Sequence, residues 1–513
     1  MSKPKDKAAA PGEEIMEKIV SLCKRRGFVF QSSEIYGGLK SCYDYGPLGV
    51  ELKRNVKQEW WRAMVLQRDD IVGIDASIMM HPNVWRASGH LAGFSDPLVD
   101  CKDCKERGRA DKWPAAEVGA EVAYKVVIDH KSGKKEERKG VVGKLGIVCP
   151  NCGSPNHTDI RRFNLMFRSS MGSLDPIDGI AQRLEGKSLQ GEELRAVIAE
   201  AIGESAVYLR PETAQAMFVN FLNVQASARM KPPFGIAQQG KSFRNEITVE
   251  HFIFRSCEFE QMEMEFFVPP PEHTTPGERD DMGWFEYWCQ ERKNWYERLG
   301  MRPEKLRLRD HDASELAHYA KGCKDVEYEY PWGWGELEGI AHRSDYDLKA
   351  HEKASGKKLT YFDPVKNVHY HPFVIEPAAG ADRTLLAFLI DAYTEEPPSE
   401  ARKEGRVLLK LHPRLAPMKA AVFPLVKKEG MPEKAQEIVQ EFLRQGIKAF
   451  YDEKDAVGRR YARQDEAGTP YCLTVDGQTI TDGTVTIRER DSMKQERIKI
   501  EEAVQVVRKR LEE

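Results

Sequence analysis

Two Cys-x-x-Cys pairs, Cys101 with Cys104 and Cys149 with Cys152, constrain this chain more than any other local feature. Four thiolates in two close pairs match the tetrahedral preference of zinc, and Gly153 after the second pair allows the tight turn such a knuckle requires. Residues 100–158, charged and turn-rich, therefore read as an inserted module, with an alternating apolar stretch over 122–128 that predicts a small hairpin. A site closed by four sulfurs leaves no position for substrate. Its predicted role is structural, contributing on the order of 10 kcal/mol to folding.

At 513 residues the chain exceeds what one hydrophobic core supports, so about two to four domains are expected. Apolar residues make up 41% and charged residues 31%, enough for real cores and for solubility, which excludes disorder as the bulk state. With 78 Lys and Arg against 81 Asp and Glu, a nucleic-acid partner has to be held by local basic patches rather than by net charge. Residues 1–14 mix Lys3, Lys5 and Lys7 with Pro4 and Pro11 and lack the apolar run of a secretory signal, so a flexible tail is expected. No run of about 18 apolar residues predicts a membrane span. The other six cysteines are scattered, which suits a reducing compartment, and the cytoplasm is expected.

Apolar periodicity predicts helices over 15–26 and 50–64, the second begun by Pro47. Strand-like runs at 206–209, 235–238 and 258–268, broken by a helix over 284–299, predict a large antiparallel sheet. Residues 395–402, with Pro397 and Pro398, read as a linker, and the strand-like 406–411 goes either with the preceding sheet or beyond it. After Pro413, strands at 419–425, 447–451 and 471–475 alternate with helices at 432–445 and 459–467, the pattern of a compact α/β domain with a mixed or parallel sheet.

Charges fall where strands should be apolar. Arg210 and Glu212 precede Thr213-Ala214-Gln215; Phe243-Arg244-Asn245-Glu246 follows Gly240; and Phe254-Arg255-Ser256-Cys257-Glu258-Phe259-Glu260-Gln261-Met262-Glu263 continues the pattern. Buried charges need partners. Taken singly, each short motif reads as a structural ion pair. A strand predicted to end at Glu376 is followed by Gly380-Ala381-Asp382-Arg383 and an apolar helix, where small residues permit close approach of a ligand; alone, Asp382 reads as a helix cap and Arg383 as a solvated side chain.

Together these residues resemble the homodimeric type of glycyl-tRNA synthetase, a class II aminoacyl-tRNA synthetase, over nearly the whole chain. Asp44 to Leu48 with the helix after it is similar to the family's first motif, which builds the dimer interface; Phe243 to Glu246 is similar to the second and Gly380 to Arg383 to the third. Trp85 to His90, Arg307 to His311, Trp332 to Leu337, and Gly458 to Tyr461 with Gln464 to Glu466 are also similar to this family. The resemblance implies an α+β fold: an antiparallel-sheet catalytic core at 15–99 and 159–411, the four-cysteine zinc-type insert at 100–158, and an α/β anticodon-binding domain at 412–513. It implies a ligase of protein biosynthesis that joins glycine to tRNA(Gly) through glycyl-adenylate, releasing AMP and pyrophosphate.

By the same resemblance Arg244 and Arg383 are catalytic, Arg244 at the α-phosphate and Arg383 at the γ-phosphate of ATP. ATP would also meet Asn245, Glu246, Phe254, Arg255, Phe259, Glu336, Leu337, Gly380 and Asp382, with magnesium near Glu336. Glycine would meet Arg109, Glu212, Phe259, Glu260, Gln261, Met262, Glu263, Glu376 and Gly380, and the anticodon Arg459, Arg460, Tyr461 and Arg463. The expected partners are tRNA(Gly), glycine, ATP and a second copy of the chain, with no membrane. Two residues depart from the family pattern: Ala378 stands where Ser is common and Ala216 where Gly is. Losing a hydroxyl bears on rejection of alanine, since one methyl is worth only ~1–3 kcal/mol. The competing expectations are a synthetase-like nucleic-acid-binding protein without catalysis, and a synthetase for another small amino acid.

Overall fold

Charges alternating with apolar residues along Glu258–Val268 make a strand with two unlike faces, since successive side chains on a strand point to opposite sides. The computed structural model describes residues 11–129, 134–173, 175–247, 251–312, 316, 320–398 and 404–512. Of the tail expected over residues 1–14, residues 1–10 lie outside them. Around Glu258–Val268 a seven-stranded sheet is assembled from Ile71–Gly73 (β1), Phe234–Phe243 (β2), Glu258–Val268 (β3), Leu306–Asp310 (β4), Gly322–Tyr330 (β5), Gly333–Ser344 (β6) and Phe373–Gly380 (β7), in the order β4-β5-β6-β7-β3-β2-β1. Every neighbouring pair is antiparallel except β2 with the short edge strand β1, which is parallel.

One face of this sheet is apolar. Met262, Met264 and Phe266 of β3 pack with Leu52, Val56 and Trp60 of the helix Pro47–Trp61 (α1), Phe285 and Trp288 of Asp281–Arg298 (α2), and Leu385 and Leu389 of Ala381–Ala392 (α3). Burying such side chains contributes about 1.5–3 kcal/mol each before chain entropy is counted. Within this layer Arg292 and Glu338, both wholly buried, pair at 2.7 Å, and Tyr296 Oη donates to Glu338 at 2.8 Å. Gln261, Glu263 and Glu265 of β3 face the other way; Gln261 and Glu263 floor the cleft and Glu265 lies buried behind them.

The structure moves several predicted boundaries. The first helix runs Pro11–Arg26, so residues 11–14 are helical rather than part of a tail. Residues 206–208 pair with Arg168–Ser170 in a separate two-stranded ladder, not in the main sheet. β7 does not end at Glu376 but continues to Gly380, because Glu376 is held on the sheet between β6 and β3. The expected linker starts as a strand: Tyr393–Glu396 pairs with Arg406–Leu409, while residues 399–403 lie outside the described part.

In the insert, Ser95–Asp100 pairs with both Arg107–Arg109 and Arg161–Asn164, and the predicted hairpin is Glu121–Asp129 with Lys134–Val141. The C-terminal sheet is mixed. Ala420–Pro424 lies between Ala449–Tyr451 and Tyr471–Val475, parallel to both, and the antiparallel strands Thr484–Glu489 and Gln495–Lys499 extend it. These last two strands lie beyond the pattern recognised in the sequence, which stops at 475. Arg26 Nε donates to Glu466 at 2.6 Å and Arg406 Nη1 to Asp465 at 3.1 Å, tying this domain to the rest. Among the described residues no helix is long and apolar enough to cross a membrane.

Candidate active site

The polar face of the sheet opens into a cleft of about 640 Å³ lined from distant parts of the chain, including Arg244 after β2, Phe259 and Glu263 of β3, Glu336 and Arg343 of β6, Glu376 of β7 and Arg383 of α3. Arg244 and Arg383 thus share one cleft, although a long stretch of sequence separates them. Glu336 links them electrostatically: Arg383 Nη1 lies 2.9 Å from its carboxylate, and Arg383, followed by Arg244, holds that carboxyl below the usual range against its desolvation. The Arg244 guanidinium lies over the rings of Phe94 and Phe259 at 5.4 and 5.3 Å, and Arg383 lies over Phe254 at 4.5 Å. Two guanidinium groups beside aromatic faces and an exposed carboxylate form a polyanion and base-stacking environment.

Further along β3, at about 3.4 Å per residue, the cleft changes character. Glu212, Glu263 and Glu376 enter it from three elements around Arg343. Arg343 donates to Asp347 through Nε at 2.8 Å and Nη2 at 2.9 Å, and to Glu376 through Nη1 at 2.6 Å. Glu212 lies 3.3 Å from the His90 ring and accepts from Gln215 Nε2 at 2.9 Å. The Thr213 backbone N–H donates to Glu263 at 3.0 Å. Burial pushes the Glu212 carboxyl up, but His90, Arg343 and Gln215 outweigh it and hold it well below the carboxylate range. Glu263 goes the opposite way: burial and then Glu376 and Glu212 raise it well above. Glu376 is raised by burial, with Arg343 opposing. Carboxyls with divergent proton affinities around one guanidinium suit a small cationic group.

Arg210 is structural. It is 2% exposed, donates to Lys241 O at 2.7 Å and to Ala76 O at 2.9 Å, and braces the loop carrying Glu212. Gly240 makes room for it, since a Cβ there would meet Arg210 Nη2 at 2.1 Å.

Of the predicted residues, Arg244, Glu246, Phe254, Arg255, Phe259, Gln261, Glu212, Glu263, Glu336, Glu376, Gly380, Asp382 and Arg383 line the cleft. Five others do not. Glu260 and Met262 occupy the opposite face of β3, which the strand's two-residue period requires: Glu260 pairs with Lys53 at 2.9 Å and Lys57 at 2.6 Å, and Met262 is core. Leu337 is wholly buried for the same reason, one residue from Glu336. Asn245 does not line the cleft; its backbone N–H donates to Leu165 O at 2.8 Å. Arg109 is on the insert sheet, paired with Asp96 at 3.0 Å and Asp111 at 2.7 Å, within the field of Glu246. Asp382 is no helix cap: it takes Lys53 Nζ at 2.7 Å, the Glu260 N–H at 2.7 Å and the Tyr45 hydroxyl, joining α1, β3 and α3. Arg343, Asp347 and His90 were not assigned roles from sequence; the run of charged and polar residues Glu336, Glu338, His342 and Arg343 along one strand was the signal available.

The thiols of Cys101, Cys104, Cys149 and Cys152 all lie within 4.8 Å of one another, with Sγ–Sγ distances of 3.7 Å (101 to 152) and 3.5 Å (104 to 149). A tetrahedron with ~2.3 Å metal–sulfur bonds has edges of about 3.8 Å, so the donor set fits zinc. In the C-terminal domain only Arg459 of the four predicted RNA-facing residues is exposed and without a fold contact among the described residues to account for it. Arg460 is buried and donates to Pro424 O and to Asp455 O at 2.8 Å; Arg463 is held by Asp452 and Asp455; Tyr461 bonds Thr474 at 2.6 Å beneath Arg488.

Residues 419–510 match the family described as anticodon binding domain. The chain is 49% identical over 502 residues to glycine–tRNA ligase of Clostridium perfringens, covering 98% of this chain and 99% of that protein. It is 48% identical to glycine–tRNA ligase of Alkaliphilus oremlandii (97% and 99% covered) and 50% identical to that of Clostridium acetobutylicum (96% and 97% covered).

Proposed function

This chain belongs to the glycine–tRNA ligase family and charges tRNA with glycine, and from that premise we propose how its cleft divides the work. ATP lies across the Phe254, Phe259, Arg244 and Arg383 part of the cleft, and glycine occupies the part around Arg343. One observation carries the reading: Arg244 and Arg383 line the same cleft as Glu212, Glu263 and Glu376.

The first step places the glycine carboxylate on the α-phosphorus of ATP and expels pyrophosphate. Charge gathers on the phosphoryl oxygens, and Arg244, already oriented by its bond to Pro211 O at 3.0 Å, offsets it. Arg383 holds the γ-phosphate, exchanging its Glu336 contact for the substrate. Magnesium takes oxygen ligands, and the exposed Glu336 carboxylate is suited to hold it and so neutralise the polyphosphate. Glu212 and Glu376 receive the ammonium. In the second step a ribose hydroxyl at the tRNA 3′ end attacks the glycyl carbonyl and AMP leaves; positioning and electrostatics supply the catalysis, with no covalent bond to the enzyme.

Zinc in the four-cysteine site holds the insert together. The working unit is a homodimer: Ile35 and Tyr36 are 89% and 88% exposed, Leu39 is exposed beside them, and all three stand next to the segment that Tyr45 anchors to Asp382. Ten cysteines, none in a disulfide and six of them outside the zinc site, fit a cytoplasmic setting. ATP–pyrophosphate exchange with each of the twenty amino acids tests the assignment. Exchange with glycine alone is expected; exchange led by any other amino acid overturns it.

A further inference from the structure

Behind the cleft floor lies a carboxyl group that none of these roles uses. Glu265 is wholly buried, and neither of its oxygens has a hydrogen-bond partner. It follows Glu263 by two residues on β3, on the same face, and its carboxylate lies within 4.8 Å of those of both Glu263 and Glu376. Gln238, directly across from Glu263 on β2, is also wholly buried with both amide atoms unpartnered. A buried carboxylate without donors is costly, and three like charges this close, out of water, do not all ionise.

We propose that Glu265 is a positioning residue for the glycine site, storing the proton that the Glu263, Glu265 and Glu376 carboxyls share and yielding it when the glycine ammonium enters. The inference rests on placing glycine beside Arg343. The charges facing Glu265 are Glu263 on its own strand, Glu376 on β7, Arg343 on β6 and Asp347 in the helix that follows. Arg343 is the one cation of this set, and Asp347 and Glu376 already occupy its donors. Burial, then Glu376, raises the Glu265 carboxyl, in keeping with a proton held there in the empty site. Glycine enters as a zwitterion whose carboxylate goes to the Arg244 part of the cleft. At the carboxyl cluster one ammonium charge enters, one proton leaves to solvent, and the net charge of the cluster is unchanged. Glycine then binds without leaving an uncompensated charge in the cluster.

Isothermal titration of glycine into the full chain near neutral pH, in two buffers of different ionisation enthalpy, reads the protons released. Wild type is expected to release about one proton per glycine, with KM for glycine falling up to about tenfold per pH unit. Glu265→Gln keeps the shape and removes the titrating group; it is expected to bind glycine with less than about half that release and a flatter KM profile, at a near-unchanged kcat. Glu265→Asp, which keeps a carboxyl, restores the release. Equal release in wild type and Glu265→Gln, or none in wild type, overturns the proposal. Absence of glycine binding to wild type instead overturns the assignment of the pocket.

Discussion

Arg343→Leu removes the one guanidinium that holds the carboxylate part of the cleft together. Three bonds are lost, at 2.8, 2.9 and 2.6 Å, from a side chain 5% exposed to partners that are themselves buried. Removing one member of a buried ion pair costs about 3–5 kcal/mol, because the charges left behind have nothing to replace it. That range is the expected loss at about pH 7.5 in the catalytic-domain transition, followed by tryptophan fluorescence in urea. The pH dependence has a definite sign. Glu263, Glu265 and Glu376 are raised in the folded state, so they favour folding when protonated and that contribution is lost as pH rises through their folded values. Without Arg343 the ionised forms are worse still, so the loss shrinks toward about pH 5.5, where more of these carboxyls carry protons. A loss below about 1 kcal/mol at pH 7.5, or a larger loss at pH 5.5, refutes the reasoning.

Arg459→Ala is expected to weaken tRNA binding and lower its salt slope by about one without changing stability, whereas Arg460→Ala costs stability by leaving the buried Pro424 carbonyl unmet, by about 1–3 kcal/mol; filter binding across salt and thermal melting separate the two. Chelation is expected to release one zinc per chain and shift the emission of Trp113, which packs on Cys101 and Cys149; an unchanged spectrum after full metal loss argues against a structural role. Ala378 lines the cleft, and discrimination is expected to rest on sterics: wild type should exchange alanine at least about tenfold more slowly than glycine, and Ala378→Ser should sharpen this; comparable rates contradict it.

Much of this was legible from residue order because the features are local. The Cys-x-x-Cys pairs announce their own geometry, and residues 258–268 read as a strand at the observed limits. Tyr471–Val475 did so as well. The charges at 244, 263, 376 and 383 read singly as ion pairs or solvated side chains; it was the family resemblance that joined them into one site, since the contacts that do so are long-range. What failed was the use of β3 as a continuous wall. Its two-residue period sends Glu260 and Met262 to the far side, and the same rule removes Leu337 beside Glu336. Arg343 was missed because its meaning comes from Glu376, which only the β6–β7 pairing brings to it, and from Asp347, a partner four residues on whose role shows only once the cleft is formed. Arg460 and Arg463 looked like part of an RNA-facing cluster, yet at three residues apart they share one helix face, which packs on Asp452, Asp455 and Pro424, while neighbouring Arg459 points away to solvent.

The central claim is that two guanidinium groups from distant segments act on one triphosphate. Single-turnover formation of glycyl-adenylate in wild type, Arg244→Ala, Arg383→Ala and the double variant tests it most directly. The account predicts that each single change slows formation by about 10²-fold or more, and that the double variant loses less than the product of the two, as for groups serving one ligand. A folded single variant that forms adenylate at the wild-type rate, or losses that multiply fully, would contradict it.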